Sequence, residues 1–373
     1  MTPVPAAAPV PAVATGGRPA PPDGVSVVVP TLGRDSLGPL LRALSAAARS
    51  GRGGPRPGHG LHPIEVVLVD DRPAGPPLPV PPEIVPVTRV VAGRGDGPAA
   101  ARNRGWRAAR YGWVAFLDDD VLPDPDWLAR LAEDLTVPTD VGGVQGRVRV
   151  PLPPHRRPTD WERRTAGLGS GRWITADMAY RRSALVRVGG FDERFRRAYR
   201  EDAELAHRVA AAGWRLVTGG REVTHPVRRE RRWVSLRAQR GNADDALLRR
   251  LYGRRWRRRL AVPPGRRAAH VATTLAGAVA LGSAAVAVLS RRRRRPAVRA
   301  AARTAAVAGG LGWAAGTGWF ASDRIRAGPG DPAEVLEMLA TSVAIPPLAT
   351  GWWMHGWWRR RRARPWGLPP ARR

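Results

Sequence analysis

The sequence lacks cysteine and lysine, and both absences narrow what the protein can be. Without cysteine there are no disulfide bonds and no thiolate chemistry, so a reducing compartment is compatible with the chain. Without lysine every basic residue is an arginine, and the 62 arginines outnumber the 31 acidic residues to give a formal charge of +31. A charge of this size usually indicates nucleic acid or an anionic membrane as a partner.

The positive charge is concentrated in the last third of the chain. From Arg250 onward there are 24 arginines and four acidic residues, and apolar runs separate the arginine clusters. That interleaving is typical of membrane-associated helices. We therefore expect an anionic membrane as a partner and no specific nucleic acid.

The chain is organised around the stretch WVAFLDDDVLPDPDW, residues Trp113 to Trp127. Its first five residues predict a buried central strand, and Asp118, Asp119 and Asp120 follow that strand directly. Ligands of open α/β sheets gather at such strand ends, where three acids repel one another unless a cation or a donor-rich ligand is present. Asp118 and Asp120 are spaced to face one Mg²⁺ or Mn²⁺ ion, which prefers oxygen ligands. The alternative is a solvated acidic turn that caps the next helix.

Short apolar strands alternate with helical patterns on both sides of this stretch. The alternation predicts an α/β fold with a Rossmann-like, mostly parallel sheet and flanking helices, followed by C-terminal hydrophobic helices. The region after Gly95 lacks the spacing of a dinucleotide-binding fingerprint. Residues Pro151 to Gly171 are predicted to be a mobile loop over the site. The predicted strands are Val25–Val29 (ended by Pro30), Ile64–Val69, Val85–Val91, Trp113–Leu117, Gly142–Val150 and Trp214–Val217.

Six sequence blocks in a fixed order resemble the family 2 glycosyltransferases of the GT-A fold. The resemblance covers roughly Val25 to Val227 and implies an inverting transfer of a sugar from a nucleotide-diphosphate donor to a hydroxyl group. The blocks are VSVVVPTLGR, IEVVLVDDRP, AAARNRGW, WVAFLDDDVLPDPDWL, GGFDERF and REDAELAHRVAAAGW.

The resemblance also implies roles for individual residues. Asp202 would be the catalytic base, with Glu201 beside it. Simple chemistry agrees, because a metal ion neutralises a departing diphosphate and a carboxylate can take the proton of the acceptor hydroxyl. The implied nucleotide-sugar site consists of Pro30, Thr31, Arg34, Asp70, Arg102, Asp118 and Asp119, and the implied site for a divalent metal ion, Mn²⁺ or Mg²⁺, consists of Asp118, Asp120 and His225.

Several of these positions also have a purely structural interpretation. Asp70 could cap the end of a strand, and Arg102 could be a solvated charge on a helix face. Glu201 and Asp202 lie where a helix N-terminus favours acidic residues. His225 precedes a proline and could be a turn residue.

Two departures from the family pattern concern the acceptor. Ala176 and Asp177 stand where the family commonly has a small residue and Asn, which leaves the acceptor-side contacts open. The Q-x-x-R-W motif of processive polysaccharide synthases is missing, because the segment from Gln239 to Asn242 reads QRGN. We therefore expect a non-processive enzyme that makes single transfers.

Three apolar stretches near the C-terminus predict membrane-associated helices. They are Ala268–Ser290, Ala305–Ala321 and Leu339–Trp358, and about 20 apolar residues are needed to span a bilayer. Arginine clusters flank the first stretch on both sides, so both of its flanks prefer the cytoplasm. The positive-inside rule therefore predicts a hairpin of the second and third stretches, with the first stretch re-entrant or in the membrane interface.

These patterns divide the chain into five predicted segments. They are a disordered Pro/Ala-rich tail (1–23), a GT-A glycosyltransferase domain (24–227), a basic amphipathic helical connector (228–267), membrane-associated helices (268–358) and a basic tail (359–373). We expect an enzyme of the cell membrane whose catalytic domain faces the cytoplasm and whose acceptor is a lipid-linked or cell-envelope glycan. The alternatives are a catalytically inactive membrane-anchored binding module, an arginine-rich nucleic-acid binder and a nucleotidyltransferase on a similar sheet.

Overall fold

The structure is a computed structural model that describes residues 23–50, 63–230, 232–292 and 295–366. The predicted N-terminal tail, apart from residue 23, lies outside the described residues, as does the end of the basic tail. The described residues form two compact units. Unit 1 runs from residue 23 to Pro151 and includes Leu168–Pro226 and Trp366, whereas unit 2 consists of Leu152–Gly167 and Val227–Pro365.

The secondary structure alternates in unit 1 and is helical in unit 2. The strands are β1 (Val25–Thr31), β2 (Ile64–Asp70), β3 (Thr88–Ala92), β4 (Trp113–Leu117), β5 (Leu122–Pro123), β6 (Val141–Arg149), β7 (Asp177–Arg181) and β8 (Arg215–Thr224). The helices are α1 (Leu37–Ser50), α2 (Pro98–Ala108), α3 (Trp127–Asp134), α4 (Asp160–Ala166), α5 (Arg182–Val188), α6 (Glu201–Ala211), α7 (Val234–Arg237), α8 (Asn242–Tyr252), α9 (Trp256–Arg259), α10 (Arg267–Arg292), α11 (Pro296–Ala327) and α12 (Pro332–Arg359).

The eight strands form one mixed sheet in the order β3-β2-β1-β4-β7-β6-β8-β5. The first four strands in this order run parallel, but β7 is antiparallel to both of its neighbours and β5 is antiparallel to β8. The expectation of a mostly parallel sheet was therefore too simple. It failed because β7 is a five-residue strand inside a segment that carried no strand prediction, and this strand reverses the direction of pairing.

Several strand boundaries also differ from their predictions. The largest difference is at the last strand, which was predicted to end at Val217 and continues to Thr224. Pro30 does not end β1, because the strand continues to Thr31 and Pro30 pairs in register with Val69. The third predicted strand begins later than expected. Pro82–Val87 forms a 3₁₀ helix that contains Pro86, whose ring nitrogen cannot donate to a strand ladder, and β3 starts only at Thr88.

The sheet of unit 1 is covered on both faces by apolar side chains. Alternate residues of β1 point to opposite faces, so Val27 packs with the leucines of α1 and Val28 packs with the alanines and Trp106 of α2. All five residues of β4 are buried. This two-sided core aligns the ends of β1, β2 and β4, so the polar residues that follow these strands lie along one edge.

Unit 2 contains the three long C-terminal helices, α10, α11 and α12. Of the helices in the described ranges, one, spanning Arg267–Arg291, is long and apolar enough to cross a membrane. The sequence favoured the second and third apolar stretches for a membrane hairpin, yet the first stretch has the strongest apolar character. Glycine and tryptophan dilute α11, and α12 contains Pro346 and Pro347 within the helix.

The segment predicted to be a mobile loop, Pro151 to Gly171, contains the short helix α4. Thr159 accepts a hydrogen bond from the backbone N–H of Glu162, and the Glu162 carboxylate accepts one from the backbone N–H of Thr159. This reciprocal capping box satisfies two donors that a helix start leaves unpaired. The loop is therefore partly ordered by its own sequence.

Candidate active site

The candidate site lies where β1, β2 and β4 end and where α6 begins. Asp118, Asp119 and Asp120 follow β4, and each carboxylate contacts a different part of unit 1. Their partners come from α2, from the loop after β1 and from the end of β8, respectively. Three neighbouring acids are thus separated by the elements around them.

Asp118 belongs to a buried ion-pair network centred on Arg102 of α2. One terminal nitrogen of Arg102 lies 2.6 Å from Asp118 Oδ1 and the other lies 2.8 Å from Glu201 Oε1. Burial acts to lower the pKa of Arg102, but the charges and hydrogen bonds of its two carboxylate partners prevail and raise it. The Arg102 side chain is only 2% exposed. From the sequence, Arg102 was expected near the donor diphosphate or in solvent. In the structure its guanidinium group contacts both Asp118, after β4, and Glu201, at the start of α6.

Glu201 and Asp202 differ in how their carboxylates are used. Glu201 is buried, and besides Arg102 its other oxygen accepts a hydrogen bond of 2.6 Å from the backbone N–H of Tyr199. Burial, followed by the neighbouring Asp202 charge, raises the pKa of Glu201 to about 7. Asp202 is half-buried, its Oδ1 accepts from the Ala203 N–H at 2.7 Å, and burial raises its pKa as well. Of the two acids, Asp202 is the more accessible to a bound molecule.

The loop between α5 and α6 is held in place from α2. The buried Asn103 donates from Nδ2 to the Phe191 carbonyl at 2.9 Å and accepts from the Phe191 N–H at 2.8 Å. The residue before α6, Arg200, has a left-handed φ of 74°, which is uncommon for a residue other than glycine and is often found at functional sites. Asn103 was not singled out from the sequence, although it lies next to Arg102 in the AAARNRGW block.

Asp119 organises the loop after β1. Its Oδ2 accepts a 2.7 Å hydrogen bond from the Thr31 hydroxyl, and its Oδ1 lies 3.1 Å from an Arg34 guanidinium nitrogen. Thr31 in turn accepts from the backbone N–H of Gly33 at 2.9 Å. The structure therefore brings Thr31, Arg34 and Asp119 together, and Pro30 lies immediately before them. All were expected to contact the donor.

Asp120 faces His225, which follows β8. His225 Nε2 lies 3.5 Å from Asp120 Oδ1, both side chains are at most 10% exposed, and His225 Nδ1 lies 3.2 Å from the Pro226 carbonyl. The carbonyl can only accept, so the proton on a neutral imidazole is assigned to Nδ1, and Nε2 then presents a lone pair to a carboxylate. Two such acceptors repel one another unless a proton or a metal ion lies between them.

These residues could bind a divalent metal ion only if other groups completed its coordination sphere. Within the described part of the chain, no group of three or more acidic, histidine or cysteine side chains is arranged to hold a metal ion. Asp118 Oδ1 accepts a hydrogen bond from Arg102, so this oxygen is shared with a guanidinium group. Asp120 and His225 could supply two ligands, and substrate phosphates and water commonly supply the others for Mg²⁺.

The end of β2 carries two adjacent acids with different tasks. Asp70, expected in the nucleotide site, forms a two-pronged ion pair of 2.7 Å with Arg72, whose hydrogen bonds lower the pKa of Asp70. The buried Asp71 was not predicted. It accepts backbone hydrogen bonds of 2.8 to 3.1 Å from Arg94, Gly95 and Gly97 and so fixes the loop that leads into α2.

Asp177, left open as an acceptor contact, is a core residue. It is fully buried and accepts 2.8 Å hydrogen bonds from Trp127 Nε1 and from Arg221 Nε. Arg221 also pairs with Asp134 at 3.0 Å, and burial raises the pKa of Asp177. This network ties β7 to β8 and α3. Asp177 therefore supports the strand beside β4 and does not point to a ligand.

Comparison with known proteins finds a family that part of this chain resembles. Residues 26–200, just under half of the chain, match the model for glycosyl transferase family 2, so this region is similar to that family. The pre-mycofactocin glycosyltransferase of Mycobacterium tuberculosis (strain CDC 1551 / Oshkosh) is 35% identical over 133 residues, which cover 32% of this chain and 28% of that relative. The chain therefore matches less than a third of the relative's length.

Comparison with solved structures finds matches of low sequence identity and low TM-score. The mannosyltransferase PcManGT from Pyrobaculum calidifontis, in complex with GDP-Man and Mn²⁺, is 16% identical with a TM-score of 0.45, covering 91% of this chain and 88% of that chain. S. aureus TarS is 17% identical with a TM-score of 0.37, covering 64% of this chain and 42% of that chain. Neither likeness transfers a ligand or a reaction to this chain.

Proposed function

We propose that unit 1 is a family 2 glycosyltransferase domain and that it transfers a sugar, with inversion, from a nucleotide-diphosphate donor to an acceptor hydroxyl. The observation that carries the proposal is the half-buried Asp202 carboxylate beside the buried Arg102–Glu201–Asp118 network. Glu201 has both oxygens engaged by Arg102 and Tyr199, so Asp202 is the acid that can approach an acceptor. Burial raises the pKa of Asp202, which makes it a stronger base than an exposed carboxylate.

The transfer needs one base and no covalent intermediate. The acceptor oxygen attacks the anomeric carbon, its proton passes to the Asp202 carboxylate, and the bond from the anomeric carbon to the diphosphate oxygen breaks. Attack from the side opposite the leaving group inverts the anomeric centre. Arg102 and Glu201 position the N-terminus of α6, so that Asp202 is presented at the ends of the strands.

Asp120 and His225, together with the outer edge of Asp118, are the residues that would hold a Mn²⁺ or Mg²⁺ ion. Such an ion supplies charge neutralisation for the departing diphosphate. Support comes from the 3.5 Å approach of His225 Nε2 to Asp120 Oδ1. Pro30, Thr31, Arg34, Asp70 and Asp119 would line the nucleotide side, with Asp119 acting through the loop that it organises.

The membrane is the proposed location of the acceptor. Helix α10 is long and apolar enough to span a bilayer, which supports membrane association. We propose that the acceptor is a lipid-linked or cell-envelope glycan reached from the cytoplasmic side, and that transfer is non-processive because the Q-x-x-R-W motif is missing. The alternative is an inactive binding module anchored to the membrane. It is favoured by the internal ion pairs of Asp70 with Arg72 and of Asp119 with Arg34, which occupy the nucleotide side.

Calorimetry on the full chain in detergent tests the donor site. We expect one of UDP, GDP and dTDP to bind in the presence of Mn²⁺ and to bind much more weakly without it. Asp120→Ala should remove the metal-dependent part of the nucleotide affinity. Asp126→Ala, which changes an exposed acid just before α3, should leave that affinity unchanged. Failure of all three nucleotides to bind a folded protein would contradict the transferase proposal. Metal-dependent binding without turnover of any nucleotide sugar would support the inactive module.

A further inference from the structure

The helices α10 and α11 pack against each other as an antiparallel hairpin within unit 2. A Cβ atom added at Gly309 would lie 2.7 Å from the Ala280 backbone nitrogen, so the two backbones touch there. Small residues that allow such close approach are typical of helix pairs in membranes. The contacts run in opposite directions along the two helices, with His270 beside Phe320, Thr273 beside Gly316, Gly277 beside Trp313 and Ala280 beside Gly309.

The outer surface of this hairpin is apolar and uncovered. Only 6% of the apolar window of α10 is buried. The exposed large apolar side chains of α10 are Leu275, Val279, Leu281, Val286, Val288 and Leu289. At about 100° per residue these six spread over roughly half of the helix circumference. Leu311 on α11 is 67% exposed as well.

The lengths of the uncharged segments match a bilayer. Residues 268–290 contain 23 residues without an acidic residue or an arginine, and residues 304–322 contain 19. At a rise of about 1.5 Å per residue these segments measure about 34 Å and about 28 Å, close to the roughly 30 Å of a hydrocarbon core. The segment of α10 matches a bilayer in length and in apolar character, whereas the segment of α11 matches it in length alone. A helix that lies in the membrane plane would instead need a charged face opposite its apolar face.

Arginines stand at both ends of the uncharged segments. Seven lie between residues 254 and 267, seven lie between residues 291 and 303, and neither range contains an acidic residue. Near the first cluster, Arg266 lies 5.5 Å from the Trp319 ring and Arg267 lies 4.6 Å from the Trp353 ring. Arginine paired with tryptophan is typical of the headgroup layer. Because the two clusters are equal in size, the positive-inside rule favours neither orientation, although it disfavours the transfer of either cluster across the membrane.

We propose that α10 and α11 form a hairpin that inserts across an anionic phospholipid bilayer, with an arginine cluster in each headgroup layer. This assigns the membrane contact to a pair of helices that differs from the pair favoured by the sequence. The inference deepens the membrane association proposed above and does not depend on the transfer reaction.

Depth-dependent fluorescence quenching tests the hairpin. Because the chain contains no cysteine, each single cysteine substitution provides a unique labelling site. Single substitutions Leu275→Cys, Leu281→Cys and Leu289→Cys carry a bimane label in full-length protein reconstituted in vesicles of phosphatidylcholine and phosphatidylglycerol. We expect lipids brominated deep in the acyl chain to quench the label at 281 most strongly and headgroup nitroxides to quench the label at 289 most strongly. Equal, shallow quenching at all three positions would overturn insertion. Protection from every lipid quencher would overturn it in favour of pairing with a second copy.

Charge substitutions provide an independent test. Leu281→Asp should abolish carbonate-resistant attachment to these vesicles, because the aspartate would lie in the hydrocarbon. Val186→Asp, which changes an exposed apolar residue of α5, should leave attachment unchanged. Attachment of Leu281→Asp at the wild-type level would overturn the proposal. Nucleotide binding measured on the same vesicles separates a failure of the hairpin from a failure of the donor site.

Discussion

The buried Glu201 carboxylate should make unit 1 less stable as pH rises. The pKa of Glu201 is about 7 in the folded protein and 4.5 in an unfolded chain, because burial disfavours its charge. The folded state therefore holds more protons than the unfolded state between these values. The stabilising contribution is complete below pH 4.5 and is lost as pH rises through about 7. This difference between the folded and unfolded pKa values corresponds to ~3 kcal/mol in the free energy of unfolding, at ~1.4 kcal/mol for each pKa unit.

Glu201→Gln tests this reasoning, because glutamine keeps the shape and can still accept from Arg102 or Tyr199. The free energy of unfolding of the wild type, relative to the variant, should fall by ~3 kcal/mol between pH 4.5 and pH 8. Because the two units need not unfold together, unfolding is best followed by hydrogen exchange of α6 and β4 peptides in rising urea. Asp202 lies next to Glu201 and shares the proton uptake, so the measured midpoint belongs to the pair.

A matched variant separates this effect from general charge effects. Glu222→Gln removes a carboxylate of β8 that is paired with Arg149 at the surface. Its free energy of unfolding should differ from that of the wild type by no more than about 1 kcal/mol, because a surface ion pair contributes at most about that much. A pH-independent difference between wild type and Glu201→Gln would refute the claim that Glu201 is held at a raised pKa by burial.

Three further predictions concern the residues around the site. Asp202→Asn should lower turnover about 100- to 10,000-fold in a sugar-transfer assay and leave nucleotide binding intact, and a smaller effect on turnover would exclude Asp202 as the base. Asp71→Ala should increase hydrogen exchange in the loop at residues 94–97 and cost ~2 kcal/mol of local stability, because three backbone N–H groups lose a charged acceptor. Unchanged exchange would contradict the anchoring role of Asp71. Asp177→Leu should destabilise unit 1 by about 3–5 kcal/mol in urea unfolding, because it leaves Arg221 buried with one partner fewer, and stability at the wild-type level would show that the network is not needed.

The fold was predictable where a local pattern determines structure. The strands β1, β2 and β4 follow from continuous apolar runs, and the sequence T-D-W-E at Thr159 carries the capping-box pattern that starts α4. The mixed sheet was not predictable in this way. Whether β7 runs parallel or antiparallel to β4 depends on contacts between residues about 60 positions apart, and its five residues give no local sign of direction.

The candidate site was likewise predictable only where a local pattern determines it. The acids that end strands or begin helices, such as Asp118 and Asp202, are visible in the sequence because their positions are local. The partners of buried side chains are not visible in the sequence, because they are distant along the chain. Arg102 contacts Glu201, 99 positions away, and Asp71 accepts hydrogen bonds from backbone groups more than 20 positions away. Arg102 shows the consequence. As a basic residue on a helix it suggested a ligand contact, and only its burial reveals that it positions two acids.

The three acids after β4 show how neighbouring charges can serve different purposes. From the sequence, their repulsion called for a cation or a donor-rich ligand. In the structure, guanidinium groups already contact two of them, Arg102 at Asp118 and Arg34 at Asp119, and these pairs tie β4 to α2 and to the loop after β1. Asp120 faces the imidazole of His225, a side chain that commonly binds metal ions. The response to a divalent ion should therefore be largest at Asp120 and His225, and substitutions of Asp119 should act mainly through the order of the β1 loop.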